Sequence, residues 1–159
     1  MKIKVAKVSP YQQETQHTCS AASLKAVLQH HGLDLPEKLI SELIGVDKHG
    51  AELFQIVGAA RALGFKAKQV EFRKFKNCLS YLRNDIPLIC DVQSWTSPGK
   101  GHYCVLTDVR DGMCEIMDPN VKGNWRRVPY RDFDGWWWDG CNVYPGRTLR
   151  RAAVVVEPR

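Results

Sequence analysis

Apolar residues recur at helical spacing from about residue 19 to 63 and in short or alternating runs through most of the rest. Residues 1–8 alternate polar and apolar side chains and read as a short strand. The first helix opens after Thr18, a good N-cap. It carries Leu24, Val27 and Leu28 on one face and closes at Gly32. Residues 36–45 predict a second helix, with Pro36 in its first turn, an apolar stripe of Leu39, Ile40, Leu43 and Ile44, and Gly45 at its end. Residues 51–63 predict a third, with a broad buried face from Leu53, Phe54, Ile56, Val57, Ala60 and Leu63 and a cap at Gly64. Gly58 inside it points to close helix packing.

The pattern then changes. Residues 65–72 read as a strand, and 73–83 as a short helix with Phe75, Leu79 and Leu82 inward. Residues 86–92 and 102–109 have the composition of buried strands. Asp111-Gly112 is a strong hairpin signal, and its return strand, 113–118, stops at Pro119. A further strand at 125–128, a helical turn at 130–138 and a valine-rich terminal strand at 149–157 complete the chain. Helices first and an antiparallel sheet after them is an α+β pattern, and residues 1–159 read as one domain without repeats or linkers.

Composition narrows the function classes. The net charge of +6 lies largely near the two ends and reads as a solvated surface. No nucleic-acid-binding motif accompanies it, so no nucleic acid is expected. There is no signal peptide, and no run approaches the roughly twenty apolar residues of a membrane span, so the expected location is cytoplasmic. The six cysteines include no Cys-x-x-Cys pair, which predicts reduced thiols and no structural zinc. No metal or cofactor is expected.

The chemistry gathers around Cys19. It stands in the first turn of the first helix, where the aligned peptide dipoles favour a thiolate. Gln13, six residues upstream in a polar loop, has an amide that can donate to an oxyanion beside the sulfur. A cysteine nucleophile also needs a base. Among five histidines, His30 and His31 end the first helix and read as structural, His49 lies in a polar loop, and His17 is too near Cys19 along the chain for good geometry. His102 opens a strand after the glycine-rich loop 94–101, which reads as mobile; there a side chain is both held and accessible. Asp118, on the other strand of the same hairpin, becomes its cross-strand neighbour and can orient the imidazole. The ordinary alternative for Asp118 is a turn-initiating Asp-Pro.

These residues resemble the peptidase C39 family, the papain-like cysteine peptidases of bacteriocin and peptide exporters. The resemblance rests on Gln13 and Cys19 within Gln-x5-Cys-x-Ala-Ala-x-Leu, on Val27-Leu28-Gln29-His30-His31-Gly32, on Gly101-His102-Tyr103-Cys104-Val105-Leu106 and on Asp118-Pro119-Asn120, and spans roughly residues 8 to 140. It implies a papain-like fold, with Cys19 on a helical N-terminal half and His102 and Asp118 on an antiparallel C-terminal half. It also implies Gln13 as oxyanion donor, Cys19 as nucleophile, His102 as base and Asp118 as its orienting partner. Thr18-Cys19-Ser20 departs from the Asp-Cys-Gly of many relatives without removing a catalytic group. Exporter-linked relatives carry a membrane span and an ATPase that this sequence lacks; a transporter or accessory protein is then an unidentified partner.

The function expected is therefore a cysteine peptidase acting on a peptide or protein, with a double-glycine leader as one substrate class. The same acyl-enzyme would also serve acyl transfer or isopeptide cleavage, and a papain-like groove would also serve a non-catalytic peptide-binding module. Loop 94–100 and Trp136, Trp137 and Trp138 are candidates to shape a groove, the tryptophans more naturally as core.

Overall fold

The computed structural model describes residues 8, 9, 11–95, 99–120, 125–140 and 146–159. The strand expected at 1–8, apart from the buried Val8, and Cys141 lie outside the described residues, as does the centre of loop 94–101.

Three helices come first. Helix α1 spans Cys19–His30 and buries Leu24, Val27 and Leu28; the chain leaves it through Gly32 in the left-handed region (φ 95°). Helix α2 spans Glu37–Ile44 directly after Pro36, and α3 spans Leu53–Ala62. Their apolar faces are narrower than the sequence pattern suggests. Leu39 and Leu43 are each 41% exposed and Phe54 is 59% exposed, while Ile40, Ile44, Ile56 and Ala60 are buried. Gly58 is exposed, and a Cβ there would meet nothing within 4 Å, so it marks no close packing. The reason is geometric: a helix resting on one neighbouring layer covers one stripe, and a second apolar row beside it stays in solvent.

Six strands form one antiparallel sheet, in the order β1 (Lys66–Glu71), β8 (Ala152–Glu157), β2 (Leu88–Gln93), β3 (Gly101–Arg110), β4 (Met113–Met117) and β5 (Trp125–Pro129). A small second sheet pairs β6 (Trp138–Gly140) with β7 (Thr148–Arg150). Segment 73–83 is a 3₁₀ turn at Phe75–Cys78 followed by α4 at Leu79–Arg83, and α5 covers Tyr130–Trp136. The expected single terminal strand is two, because Arg151 adopts φ 50° between β7 and β8. Its guanidinium is gripped by Asp134 at 2.6 and 2.9 Å, and its N–H donates to the Trp137 carbonyl at 2.9 Å.

Strand alternation divides the core. Ile89, Val105 and Val154 face α1–α3 with Leu24, Val27 and Leu28. Cys90, Cys104, Leu106 and Val155 face the other way, into Phe133 and Trp137. Trp137 is thus core, its indole N–H donating to the Ala152 carbonyl at 2.9 Å. No described helix is long and apolar enough to cross a membrane. The architecture is the mixed helix and antiparallel sheet expected, with α1 aimed by its N-terminus at the open end of β3.

Candidate active site

Cys19 is the first residue of α1, half-buried. The first intrahelical hydrogen bond runs from the Ala22 N–H to the Thr18 carbonyl at 2.9 Å, so the Cys19 N–H is one of the helix's orphan donors. Thr18 occupies the cap position but does not cap through its side chain. Its hydroxyl instead accepts from the Thr15 N–H at 3.1 Å and so shapes the loop before the helix.

His102 and Asp118 meet through a correction in register. Beside the Asp111-Gly112 turn, Arg110 faces Met113 and Val109 faces Cys114. Continued unbroken, that register would set Asp118 opposite Val105, on the far face from His102. Thr107 is an extra residue in β3, so that beyond it Leu106 faces Ile116 and Val105 faces Met117. Asp118 thereby moves to the face shared by Cys104 and His102. The Thr107 hydroxyl donates to the Glu115 carbonyl at 3.1 Å and secures the bulge.

The result is a buried ion pair, with His102 Nε2 2.7 Å from Asp118 Oδ1. That bond engages one ring nitrogen, and the Cys19 sulfur is near enough to the ring to act on its charge. Burial by itself would push the His102 pKa down. The Asp118 hydrogen bond and the Cys19 sulfur outweigh it and raise the pKa to about 10. Burial would likewise raise Asp118, but the hydrogen bond from His102 holds its carboxyl below the usual range.

Asp118 has further partners that the sequence pattern did not reveal. The Asn120 N–H reaches Oδ1 at 3.0 Å, and Trp95 Nε1 donates to Oδ2 at 2.8 Å. Arg126 Nε lies 3.4 Å from Oδ2, an ion-pair contact without hydrogen-bond alignment, and its guanidinium sits over the Trp95 ring. Trp95 stacks in turn on Trp136, with centroids 5.3 Å apart. Trp95 and Arg126 belong to no local motif. Only the β4–β5 pairing, Ile116 with Arg126, sets that arginine on the face of Asp118.

Gln13 lines the same cleft, and its backbone N–H donates to the Pro119 carbonyl at 3.0 Å, tying its loop to the residue after Asp118. Its side chain is not a free amide: Nε2 donates to the Thr15 carbonyl at 2.7 Å. One N–H of that amide is used there, and the second remains available for an oxyanion. The loop is also held from below. Glu37 accepts the Glu14 N–H at 3.0 Å, and burial beside Glu14 pushes its carboxyl up to about 7.

These side chains open on a cleft of about 750 Å³ that also reaches Asp91, Tyr103 and Asp139. Ser94 and residues 99–101 form part of its wall, as expected for this loop, whereas none of the three consecutive tryptophans lines it. A separate hollow of about 550 Å³ beside Phe72 and Lys74 contains neither cysteine nor histidine. The other predicted histidine roles hold in position: His31 Nε2 lies 2.8 Å from the Val156 carbonyl and His30 Nε2 3.3 Å from an Asp85 carboxylate oxygen. Burial pushes the Cys78 and Cys114 thiols up to about 12, and those of Cys90 and Cys104 well above their usual value. These four are packing residues. Among the described residues no group of His, Cys, Asp and Glu is arranged to hold a metal ion.

Residues 7–142 match the peptidase C39 family. An uncharacterized protein of Methanothermobacter marburgensis is 28% identical over 108 residues, covering 67% of this chain and 68% of that protein. Among solved structures, the peptidase domain of Streptococcus ComA, a bi-functional ABC transporter involved in quorum sensing, superposes with a TM-score of 0.75 at 22% identity, covering 99% of this chain and 100% of that one. A double glycine motif protease from an AMS/PCAT transporter, in complex with a leader peptide, gives 0.74 at 21% identity over 98% and 94% of the two chains. A C39-like peptidase of Bacillus anthracis gives 0.76 at 15% identity over 97% and 96%. At these identities the likeness to the solved structures establishes the fold.

Proposed function

The chain belongs to the peptidase C39 family, and we propose that it is a cysteine peptidase in which Cys19 is the nucleophile, His102 the base and Asp118 the residue that orients the base. The observation that carries this reading is the placement of the Cys19 sulfur beside the His102 ring, which is paired at 2.7 Å with a carboxylate that has two further hydrogen-bond donors and an ion-pairing guanidinium around it. In the reaction, His102 holds the Cys19 proton in a thiolate–imidazolium pair, which the raised ring pKa favours, and the thiolate adds to the scissile carbonyl. The Cys19 N–H and the second N–H of Gln13 stabilise the resulting oxyanion. Collapse breaks the C–N bond as His102 protonates the leaving amine, leaving a thioester. Water then attacks, His102 takes its proton, and the carboxylate product departs with the thiol restored. Asp118 keeps the imidazole in one tautomer and stabilises its charged form throughout.

The structural neighbours described as a double glycine motif protease bound to a leader peptide and as the peptidase domain of an ABC transporter make a leader-type peptide ending in double glycine the first substrate class to try. Two measurements test the reading. Cys19 should be alkylated by iodoacetamide fastest of all the cysteines at pH 6, and more slowly in His102→Ala. Cleavage of a double-glycine peptide set should be present in the wild type and absent in Cys19→Ala. Alkylation only above about pH 8, indifferent to His102→Ala, together with no cleavage of any peptide, overturns the proposal.

A further inference from the structure

The loop that carries Gln13 is tied to both sides of the fold by consecutive backbone N–H groups. The Gln13 N–H donates to the Pro119 carbonyl at 3.0 Å, on the sheet side. The Glu14 N–H donates to both carboxylate oxygens of Glu37, at 3.0 and 3.3 Å, on the helix side. Glu37 stands in the first turn of α2 and is 3% exposed. Its approach to the loop is fixed by a second set of contacts. Lys25, in the middle of α1, donates to Asp34 Oδ1 at 2.8 Å and to the Leu35 carbonyl at 2.5 Å, two residues before Glu37. The same ammonium lies 5.1 Å from the centre of the Tyr11 ring, and the Tyr11 hydroxyl donates to Glu14 Oε2 at 2.9 Å.

Stability alone does not account for Glu37. An acid suits the first turn of a helix, but an exposed one would serve the dipole equally well. Burial, and then Glu14 beside it, push the Glu37 carboxyl up to about 7, so ionising it in place costs the fold. The Gln13 amide is held at a cost too. Its Nε2 donates to the Thr15 carbonyl at 2.7 Å, while Oε1 is buried without a hydrogen-bond partner among the described residues. The bond to Thr15 lies within the loop, so it fixes the amide to the loop and not to Cys19. What sets the loop against Cys19 is the pair of tethers to Pro119 and Glu37, with the Thr15 N–H on the Thr18 hydroxyl at 3.1 Å.

We propose that Glu37 is a positioning residue of the oxyanion hole: by gripping the Glu14 N–H it holds the Gln13 amide where the oxyanion forms beside Cys19. This rests on the reading above of Cys19 as nucleophile and Gln13 as oxyanion donor. Glu37 acts through one peptide unit and touches neither the sulfur nor the substrate. An oxyanion donor is effective only at about 2.7–3.1 Å from the developing charge, so a loop released by an ångström forfeits much of its effect. The His102–Asp118 pair is assembled by the sheet instead. Activation of the thiol and stabilisation of the oxyanion are therefore separable, and Glu37 belongs to the second.

The test compares two reactions of Cys19. Alkylation by iodoacetamide displaces iodide at a saturated carbon and forms no oxyanion. Acylation by p-nitrophenyl acetate passes through a tetrahedral oxyanion and releases nitrophenolate, whatever the peptide substrate. Glu37→Met keeps the size of the side chain and loses the acceptor. It should slow acylation at least about tenfold, a part of the roughly 10²–10³-fold attached to one oxyanion donor, and leave alkylation within about twofold. Glu37→Gln keeps an oxygen acceptor and should recover most of the loss. In a Gln13→Ala background Glu37→Met should slow acylation by less than about twofold more, because the group it positions is gone. Equal slowing with and without Gln13, or alkylation slowed as much as acylation, overturns the inference. If Glu37→Met does not fold, Glu37→Asp, which withdraws the carboxyl by one methylene, is taken through the same cycle. A wild type alkylated at Cys19 but never acylated has no oxyanion hole to position, and the inference falls while the activated thiol stands. A Cys19 neither acylated nor alkylated ahead of the other thiols overturns the peptidase reading as well.

Discussion

The two sides of the cleft are built on different principles. On one side Cys19 needs only the start of a helix: a turn of α1 supplies the orphan N–H and the dipole, and both are present wherever that helix begins. On the other side His102 and Asp118 stand on separate strands and meet only because β3 carries one residue more than β4 across the bulge. A nucleophile can be placed by three or four residues of local sequence. A base and its orienting group depend on a parity that every residue of the hairpin helps to set.

The sharpest way to break this contrast is to insert one alanine between Val105 and Leu106. With the bulge at Thr107 unchanged, the added residue would set Asp118 opposite Val105, on the far face from His102, while leaving α1 untouched. Peptidase activity should fall by about 10³-fold or more, the scale of losing the orienting carboxylate, and the His102 pKa, followed by NMR, should drop from about 10 towards its usual 6.5. Retention of a ring titrating near 10 in a folded insertion variant would show that strand register does not set the pair. Thr107→Val keeps the extra residue and loses only the hydrogen bond to Glu115, so it should retain most activity.

Trp95→Phe acts on the same side more gently. It keeps the ring against Trp136 and removes the 2.8 Å hydrogen bond to Asp118, leaving the other donors. A hydrogen bond to a charged group is worth about 1.5–3 kcal/mol, so kcat should fall roughly tenfold or more with KM little changed. An equal change in KM would assign Trp95 to substrate binding instead.

Cys19→Ala joins the two sides. With the sulfur gone, one of the two groups that raise His102 disappears, and its pKa should fall below about 10 while Asp118 keeps it above 6.5. Because the folded pKa is raised, the stabilising contribution of the charged ring is complete below pH 6.5 and is lost as pH rises to about 10. Stability in denaturant should therefore decline across that window in the wild type, and over a narrower window in Cys19→Ala. The smallest effect belongs to the Gln13 loop. Glu37, raised from 4.5 to about 7, favours the fold in its protonated form, a contribution complete below pH 4.5 and lost as pH rises to about 7. Glu37→Gln should flatten the stability profile between those values, measured as the urea midpoint; an unchanged profile would mean that the loop does not depend on this proton.

Much of this was legible along the chain. Gly32, Gly45 and Gly64 end their helices in the left-handed region, and Asp111-Gly112 makes its turn with both φ values positive. Cys19 begins its helix, and His102 opens its strand. Such features are decided within three or four residues, where capping, turn geometry and side-chain periodicity act, so they survive without knowledge of the neighbours.

What local sequence could not decide is which distant groups share a face and a depth. The exposure of Leu39, Leu43 and Phe54 depends on how many layers cover each helix. The break at Arg151, the Trp95 hydrogen bond and the Arg126 ion pair to Asp118 depend on elements far apart in the chain. Above all, the single extra residue at Thr107 reverses every side chain beyond it, so the hairpin signal alone predicts the right neighbours only by way of a bulge it does not announce. The sequence by itself determined where Cys19 and the strands would begin. The tertiary structure decided that His102 and Asp118 face one another, because facing is a property of register and packing summed over the whole sheet.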